Sequence, residues 1–226
     1  MTLNLPRPIL YLITRGETTE ATTPDGEDFR NILQQASAAV TAGIPLIQIR
    51  EKQLTSRILF ELTSNVVAIA RGSSTRVLVN DRADIAASAG ADGVHLTTHS
   101  ISADVIRRTF GEKFLLGVST HSLAEAQSAR RQGADFAVFG PVFPSPEKEK
   151  YGPPRGLREL KDVARELAPF PLIALGGISL DRVTECLRAG ASGIAGITLF
   201  SRPADLATTA ETIEDFAKVD RRKAAQ

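Results

Sequence analysis

Short apolar runs of strand length alternate along the chain with longer segments whose apolar residues recur at helical spacing. Ile9 to Thr14 is the first such run, and the Thr-, Gly- and Pro-containing stretch from Arg15 to Glu27 reads as a loop. From Asp28 onward Phe29, Ile32, Leu33, Ala36, Ala39 and Val40 recur on one helical face, with Gly43 at the end, and a second strand starts at about Pro45. Thr55 caps another helical pattern through Ile58, Leu59, Leu62, Val66, Ile69 and Ala70, which ends near Gly72. The same reading predicts strands over Arg76 to Asn80, Val94 to Leu96, Phe114 to Val118, Phe136 to Phe139, Leu172 to Leu175 and Gly193 to Ile197. Helices are expected over Asp81 to Ala89, Ser102 to Phe110, Ser122 to Arg131, Leu180 to Ala189 and Ala204 to Lys218, with one more after a long Pro-rich loop from Gly140 to Arg155.

Eight strands, each followed by a helix, predict an α/β fold with a parallel sheet, and units of this size predict its closure into a single (β/α)8 TIM-barrel domain. The barrel is expected over about 9–218, with about 219–226 as a charged, frayed tail. A doubly wound open sheet is the competing architecture, but the glycine fingerprint such a sheet often carries after its first strand is missing. A recurring helix-to-strand corner supports the barrel: Ala42-Gly43-Ile44, Ala89-Gly90-Ala91-Asp92-Gly93, Gln132-Gly133-Ala134-Asp135 and Ala189-Gly190-Ala191-Ser192-Gly193 each end a helix on glycine and lead into an apolar strand. The corner speaks to architecture and not to chemistry.

The second strand carries the first sign of chemistry. In Gln48-Ile49-Arg50-Glu51-Lys52, alternation puts Ile47 and Ile49 on one face and Gln48, Arg50 and Lys52 on the other. If helices cover the isoleucines, the opposite face looks into a cavity, and fixed donors there suit a phosphate or diphosphate; the bland alternative is an edge strand with solvated charges. Polar residues also crowd the ends of the other strands, where a barrel of this type holds its active site. Asn80 and Asp81 follow the third strand, Thr97 to Ser100 the fourth, Ser119 and His121 the fifth, Ser145 and Lys148 the sixth, Gly176 and Gly177 the seventh, and Thr198 the eighth. Leu175-Gly176-Gly177-Ile178 and Gly196-Ile197-Thr198 together read as a phosphate cradle, since glycine lets backbone N–H groups approach an anion closely. Asp81 reads either as a helix cap or as a magnesium ligand beside a bound polyphosphate. His121 is placed to move a proton, or is a plain turn residue; His95 and His99 are taken as structural or solvated.

Composition narrows the partners. A formal net charge of +1 gives no broad field for nucleic acid, so any anion site is local. No apolar run approaches the roughly 20 residues that span a bilayer, and no export signal is seen, so neither membrane nor nucleic acid is expected as a partner. The single cysteine, Cys186, lies in a helical pattern, which favours core packing and a reducing, cytoplasmic setting. Small phosphorylated substrates are the expected partners, and association into a homo-oligomer is left open.

Taken together, Gln48-Ile49-Arg50-Glu51-Lys52, Val79-Asn80-Asp81-Arg82, Ala91-Asp92-Gly93-Val94-His95-Leu96, Gly117-Val118-Ser119-Thr120-His121-Ser122, Phe139-Gly140-Pro141-Val142-Phe143-Pro144 and Leu175-Gly176-Gly177-Ile178 resemble the thiamine-phosphate synthase and thiazole tautomerase superfamily. The motifs stand in family order and cover roughly Ile9 to Ser201. The resemblance implies a TIM barrel in which Gln48, Arg50, Lys52, Asn80, Ser145 and Lys148 hold the pyrimidine diphosphate, Asp81 holds Mg2+, Ser119 lies beside the reacting centre, and Gly176, Gly177 and Thr198 hold the thiazole phosphate. Two positions depart from the synthase pattern. Thr97-Thr98-His99-Ser100 replaces Gly-Gln-Glu-Asp, so the neutral Ser100 stands where a second metal-binding Asp is expected, and Glu147 replaces a threonine expected near the diphosphate. Arg155-Gly156-Leu157 is closer to the tautomerase branch, which implies a proton transfer on thiazole phosphate with His121 as acid/base. The retained Arg50, Lys52, Asn80, Asp81 and Lys148 favour the synthase; the tautomerase is the alternative, and a non-catalytic thiazole phosphate-binding regulator is a third.

Overall fold

A parallel strand covered by helices on one side and by the barrel interior on the other has two buried faces, which is why most of the runs read as continuous apolar sequence. In the computed structural model, which describes residues 5–144 and 153–224 with side chains up to residue 219, β1 (Ile9–Ile13) is buried throughout. The remaining strands are β2 (Leu46–Ile49), β3 (Arg76–Asn80), β4 (Gly93–Leu96), β5 (Leu115–Thr120), β6 (Phe136–Phe139), β7 (Leu172–Leu175) and β8 (Gly193–Gly196). They pair in parallel in chain order, and β8 returns to β1 with Ile9 opposite Gly193, which closes the barrel. The helices are α1 (Glu27–Thr41), α2 (Ser56–Ala70), α3 (Ala83–Ser88), α4 (Ala103–Phe110), α5 (Leu123–Arg131), α6 (Gly156–Leu167), α7 (Val183–Arg188) and α8 (Leu206–Ala224). Thr55 caps α2 as expected, its hydroxyl accepting from Ile58 N.

Side-chain alternation sorts the core into two layers. Ile9, Tyr11, Leu46, Leu78, Phe136, Val138 and Ile173 fill the barrel, while Leu10, Leu12, Ile47, Ile49, Val77, Val79, Phe139 and Leu172 pack outward with the helices. Cys186 is fully buried among the latter, which bears out its reading as packing.

The recurring corners hold the opposite end of the barrel. Gly43, Gly90, Gly133 and Gly190 all have φ between 69° and 95°, a left-handed conformation that side chains resist. The aspartates that follow have a role their sequence pattern did not disclose. Asp92 accepts from Val77 N at 2.8 Å, and Asp135 accepts from Leu116 N at 2.7 Å, so each carboxylate ties the start of one strand to the strand before it. Asp135 also pairs with the largely buried Arg107 at 2.8 Å, whose guanidinium donates to the carbonyls of Gly111, Phe114 and Gly133.

Four boundaries differ from the pattern-based reading. β5 runs on to Thr120, because Ser119 and Thr120 pair with Val138 and Phe139 of β6, a partner invisible to local polarity. Helix α3 starts at Ala83 rather than Asp81, because Asp81 takes φ 62° and its N–H donates to His95 O. The segment before α7 is a 3-10 turn, Leu180–Arg182. Helix α8 continues to Ala224 instead of ending at Lys218 in a frayed tail; the residues from Val219 to Ala224 contain no Gly or Pro to stop it. No helix among the described residues is long and apolar enough to cross a membrane.

Removing one partner of a largely buried ion pair leaves the other charge uncompensated. Asp135→Ala should therefore lower stability by about 3 kcal/mol, measured by urea unfolding, with the loss arising from Arg107 and the freed Leu116 N–H.

Candidate active site

All eight strands point the same way, so the residues that follow them share one rim of the barrel. On β2 the alternation holds as far as the strand lasts: Ile47 and Ile49 pack against helices, and Gln48 turns inward. The strand ends at Ile49, however, so Lys52 does not continue its inner face; it lies exposed in the turn beyond. Arg50 is half-buried, with its N–H bonded to Thr14 Oγ1 at 2.8 Å. Gln48 is 2% exposed and donates from Nε2 to Asn80 Oδ1 at 3.0 Å, which leaves the Asn80 amide nitrogen to face the rim. Gln48 Oε1 is buried without a hydrogen-bond partner, an arrangement that costs roughly 1–3 kcal/mol and that a ligand donor relieves.

Lys52, Asn80 and Asp81 line a cavity of about 280 Å³ beyond the ends of β2 and β3, bounded on the helix side by Ile49, Leu54 and, on α2, Leu59. Asp81 is the one described non-glycine residue with positive φ, which excludes the helix-cap reading and sends its exposed carboxylate toward the fourth loop. There Ser100 donates a short hydrogen bond to Asp81 Oδ1 while accepting from Thr97 N. Arg82 also lines the cavity, and its guanidinium forks onto Asp84 at 2.9 and 2.7 Å, which holds the Asp84 carboxyl below its ordinary range. Among the described residues no group of three or more His, Cys, Asp or Glu is arranged around a metal position. The oxygens on offer are one carboxylate and a serine hydroxyl, a donor set that fits Mg2+ only when substrate phosphate and water complete the shell.

Deeper in the barrel, a histidine with no role assigned from sequence contacts Ser119. His95, on β4, is buried as its structural reading expects: it is 3% exposed, its Nε2 lies 2.9 Å from Ser119 Oγ, and its Nδ1 lies 3.2 Å from the Tyr11 hydroxyl. Burial pushes its pKa down to about 3, so the ring is neutral at physiological pH. A period-two count from Leu78 and Asn80 across the β3–β4 pairing, with Asn80 opposite His95, was the signal that placed it inward. His99 is exposed, as expected.

Ser119 sits on β5 and His121 just past it. Ser122 caps α5 by accepting from Glu125 N at 3.2 Å, and Glu125 reaches back to His121 at both its N–H (2.7 Å) and its Nδ1 (3.1 Å). Gly176 and Gly177 follow β7 with φ 100° and 63°. A Cβ at Gly177 would lie 2.4 Å from Pro144 O, and Phe143 N donates to Gly176 O, so these glycines also let the sixth loop lie against the seventh. Thr198 is exposed in a 3-10 turn after β8. Ser145, Glu147 and Lys148 lie outside the described residues. Glu51 was not singled out, yet it is buried and accepts from Gly16 N, Thr18 N and Thr18 Oγ1, clasping the first loop against the second. A second cavity of about 280 Å³ lies over that clasp, lined by Arg15, Gln35 and Ser201, and none of the residues selected from sequence reaches it.

Comparison with known proteins identifies the family. Residues 10–200 match the family model described as thiamine monophosphate synthase. Similar proteins include the thiamine-phosphate synthase of Anaeromyxobacter dehalogenans, 44% identical over 76% of this chain and 76% of that protein. The thiamine-phosphate synthase of Chlorobium phaeovibrioides is 37% identical over 92% of this chain and 93% of that protein. Among solved structures, thiamine phosphate pyrophosphorylase from Pyrococcus furiosus superposes with a TM-score of 0.78 at 26% identity, covering 93% of this chain and 98% of that one.

The buried neutral His95 has a pH signature. Unfolded, a histidine takes up a proton below about pH 6.5, whereas folded His95 does so only near 3, so between these values the unfolded state binds more protons. Acidification through that window should therefore cost stability, at most on the order of 1 kcal/mol per pH unit. Urea unfolding from pH 7 to 4 should fall less steeply for His95→Gln than for the parent chain, and equal slopes would locate the proton uptake elsewhere.

Proposed function

The chain belongs to the thiamine monophosphate synthase family, and from that membership we propose that its rim joins hydroxymethylpyrimidine diphosphate to thiazole phosphate, with release of pyrophosphate. The enzyme is a thiamine-phosphate synthase, a transferase. The observation that carries the assignment of the rim is its unbalanced donor set. Neither Arg50 nor Lys52 has an ion-pair partner among the described residues, and Asn80 lines the same cavity as Lys52, so these cations are left for an anionic ligand.

The reaction needs that charge. The bond between the pyrimidine methylene carbon and the diphosphate oxygen breaks, both electrons leave with the diphosphate, and the lone pair of the thiazole nitrogen forms the new C–N bond. Donors fixed before the reaction stabilise the departing anion without reorganising, and this is the role of Arg50, Lys52 and Asn80. Gln48 Oε1, an acceptor without a donor, fits an amino group on the pyrimidine ring. Gly176, Gly177 and Thr198 bind the thiazole phosphate on the far side of the rim, and Ser119 lies between the two substrates. Ser145 and Lys148 are assigned to the diphosphate from the family resemblance. When bound, Mg2+ supplies Lewis-acid neutralisation of the diphosphate oxygens. Asp81 would hold it, with Ser100 contributing a neutral oxygen, so much of its binding would come from the substrate. The tautomerase alternative draws on His121, but both the backbone and Nδ1 of that residue are engaged by Glu125, and the similar proteins named above are synthases. The buried Cys186 thiol is compatible with a reducing cytoplasm.

Given both substrates and Mg2+, the purified protein should release pyrophosphate and form thiamine phosphate; no release above a blank ends this reading. Arg50→Ala should lower kcat by about 10²- to 10³-fold in the same assay. Ser100→Asp should tighten metal binding in the absence of substrate, read as Mn2+ affinity by electron paramagnetic resonance, and unchanged affinity would remove position 100 from the metal site.

A further inference from the structure

The interior of the barrel contains a hydrogen-bonded chain that ends at Ser119 and whose two inner members, Tyr11 and His95, have no role above. Tyr11 on β1 is fully buried, and its hydroxyl lies 3.2 Å from His95 Nδ1 on β4. On the other side of the ring, His95 Nε2 lies 2.9 Å from Ser119 Oγ on β5. The two rings and Phe136 form one cluster: Tyr11 and Phe136 meet edge-on at 85° with centroids 5.7 Å apart, and Tyr11 and His95 lie 5.7 Å apart. Gly117 makes room for it, since a Cβ there would come within 2.8 Å of His95 Nδ1 and 2.4 Å of Phe136 Cζ. The imidazole is thus held between two hydroxyls, one at each ring nitrogen.

Proton accounting then selects one tautomer. The phenol has one hydrogen to donate, and Nδ1 is its one hydrogen-bond partner among the described residues. Were Nδ1 protonated, two hydrogens would meet unless the phenol turned its own into apolar surroundings, leaving a buried donor unsatisfied at a cost of roughly 1–3 kcal/mol. Ser119, half-buried at the rim, faces no such restriction, because its hydroxyl can rotate. We infer that Tyr11 donates to Nδ1, that the neutral His95 carries its proton on Nε2 and donates it to Ser119 Oγ, and that the Ser119 hydroxyl hydrogen is thereby turned out into the pocket as a donor to the bound diphosphate. Tyr11 and His95 are positioning residues, and the hydroxyl they aim is further polarised by accepting the imidazole N–H. The inference rests on the reading of Ser119 as lying beside the reacting centre.

The tautomer is directly measurable in the intact protein. With 15N-labelled histidine, long-range 1H–15N spectra should show His95 with a protonated Nε2 and an accepting Nδ1; a protonated Nδ1 would overturn the proposal. That measurement needs no variant and no turnover, so it stands apart from the assignment of the reaction, which fails only if the parent chain releases no pyrophosphate. Kinetically, Tyr11→Phe keeps the ring and removes the donor. It should lower kcat about tenfold with KM little changed in the parent chain and have no effect in a Ser119→Ala background, a coupling expected of groups acting through one another. An equal loss in both backgrounds would reduce Tyr11 to packing and refute the relay.

Discussion

Closure of the sheet is the constraint on which the rest of the molecule depends. Because β8 pairs with β1, the sheet has no free edge, each strand has an inward and an outward face, and the inward face is apolar until it approaches one end. At that end the same alternation that delivers Leu46 and Leu78 to the core delivers Gln48 and Asn80 to a common level, where they bond to each other. Gln48 and Asn80, far apart in sequence, are thereby held by backbone hydrogen bonds of the sheet rather than by loops. A site built on strand ends is rigid enough to stabilise a departing anion without rearrangement.

The two ends of the barrel use acidic side chains differently. At the closed end Asp92 and Asp135 are spent on backbone N–H groups and on Arg76 and Arg107, and they fasten neighbouring strands. At the open end Glu51 does similar work for the first loop, which leaves Asp81 as the carboxylate at the β2–β3 cavity that meets only a hydroxyl. Its left-handed backbone keeps it out of α3 and aims it at the fourth loop, so a conformation that costs energy is retained at the position to which the proposed function assigns a cation.

Between these ends lies the aromatic cluster of Tyr11, His95 and Phe136, where packing and hydrogen bonding constrain one another. Gly117 is as much a part of it as the rings, because any side chain there would occupy the space of the imidazole and the phenyl. Burial keeps His95 neutral and thus unable to act as a charged anchor for diphosphate; what it offers instead is direction.

Periodicity by itself determined the fold class, since strand-length apolar runs alternating with helical spacing admit few arrangements, and it located each of the eight strands. The two-residue period along β2 was enough to send Gln48 inward. It failed at Lys52, where the strand had already ended, and at Asp81, where one left-handed residue replaced the first turn of a predicted helix. Only tertiary structure decided what each polar residue faces. Whether His95 is inert packing or the neighbour of Ser119, and whether Glu51 binds a ligand or clasps a loop, depends on contacts across the barrel. Those contacts join residues separated by 24 and 84 positions around His95 and by 33 around Glu51. Local sequence carries the direction of a side chain, because that follows from backbone geometry, but it carries no record of which other strand will close the space in front of it.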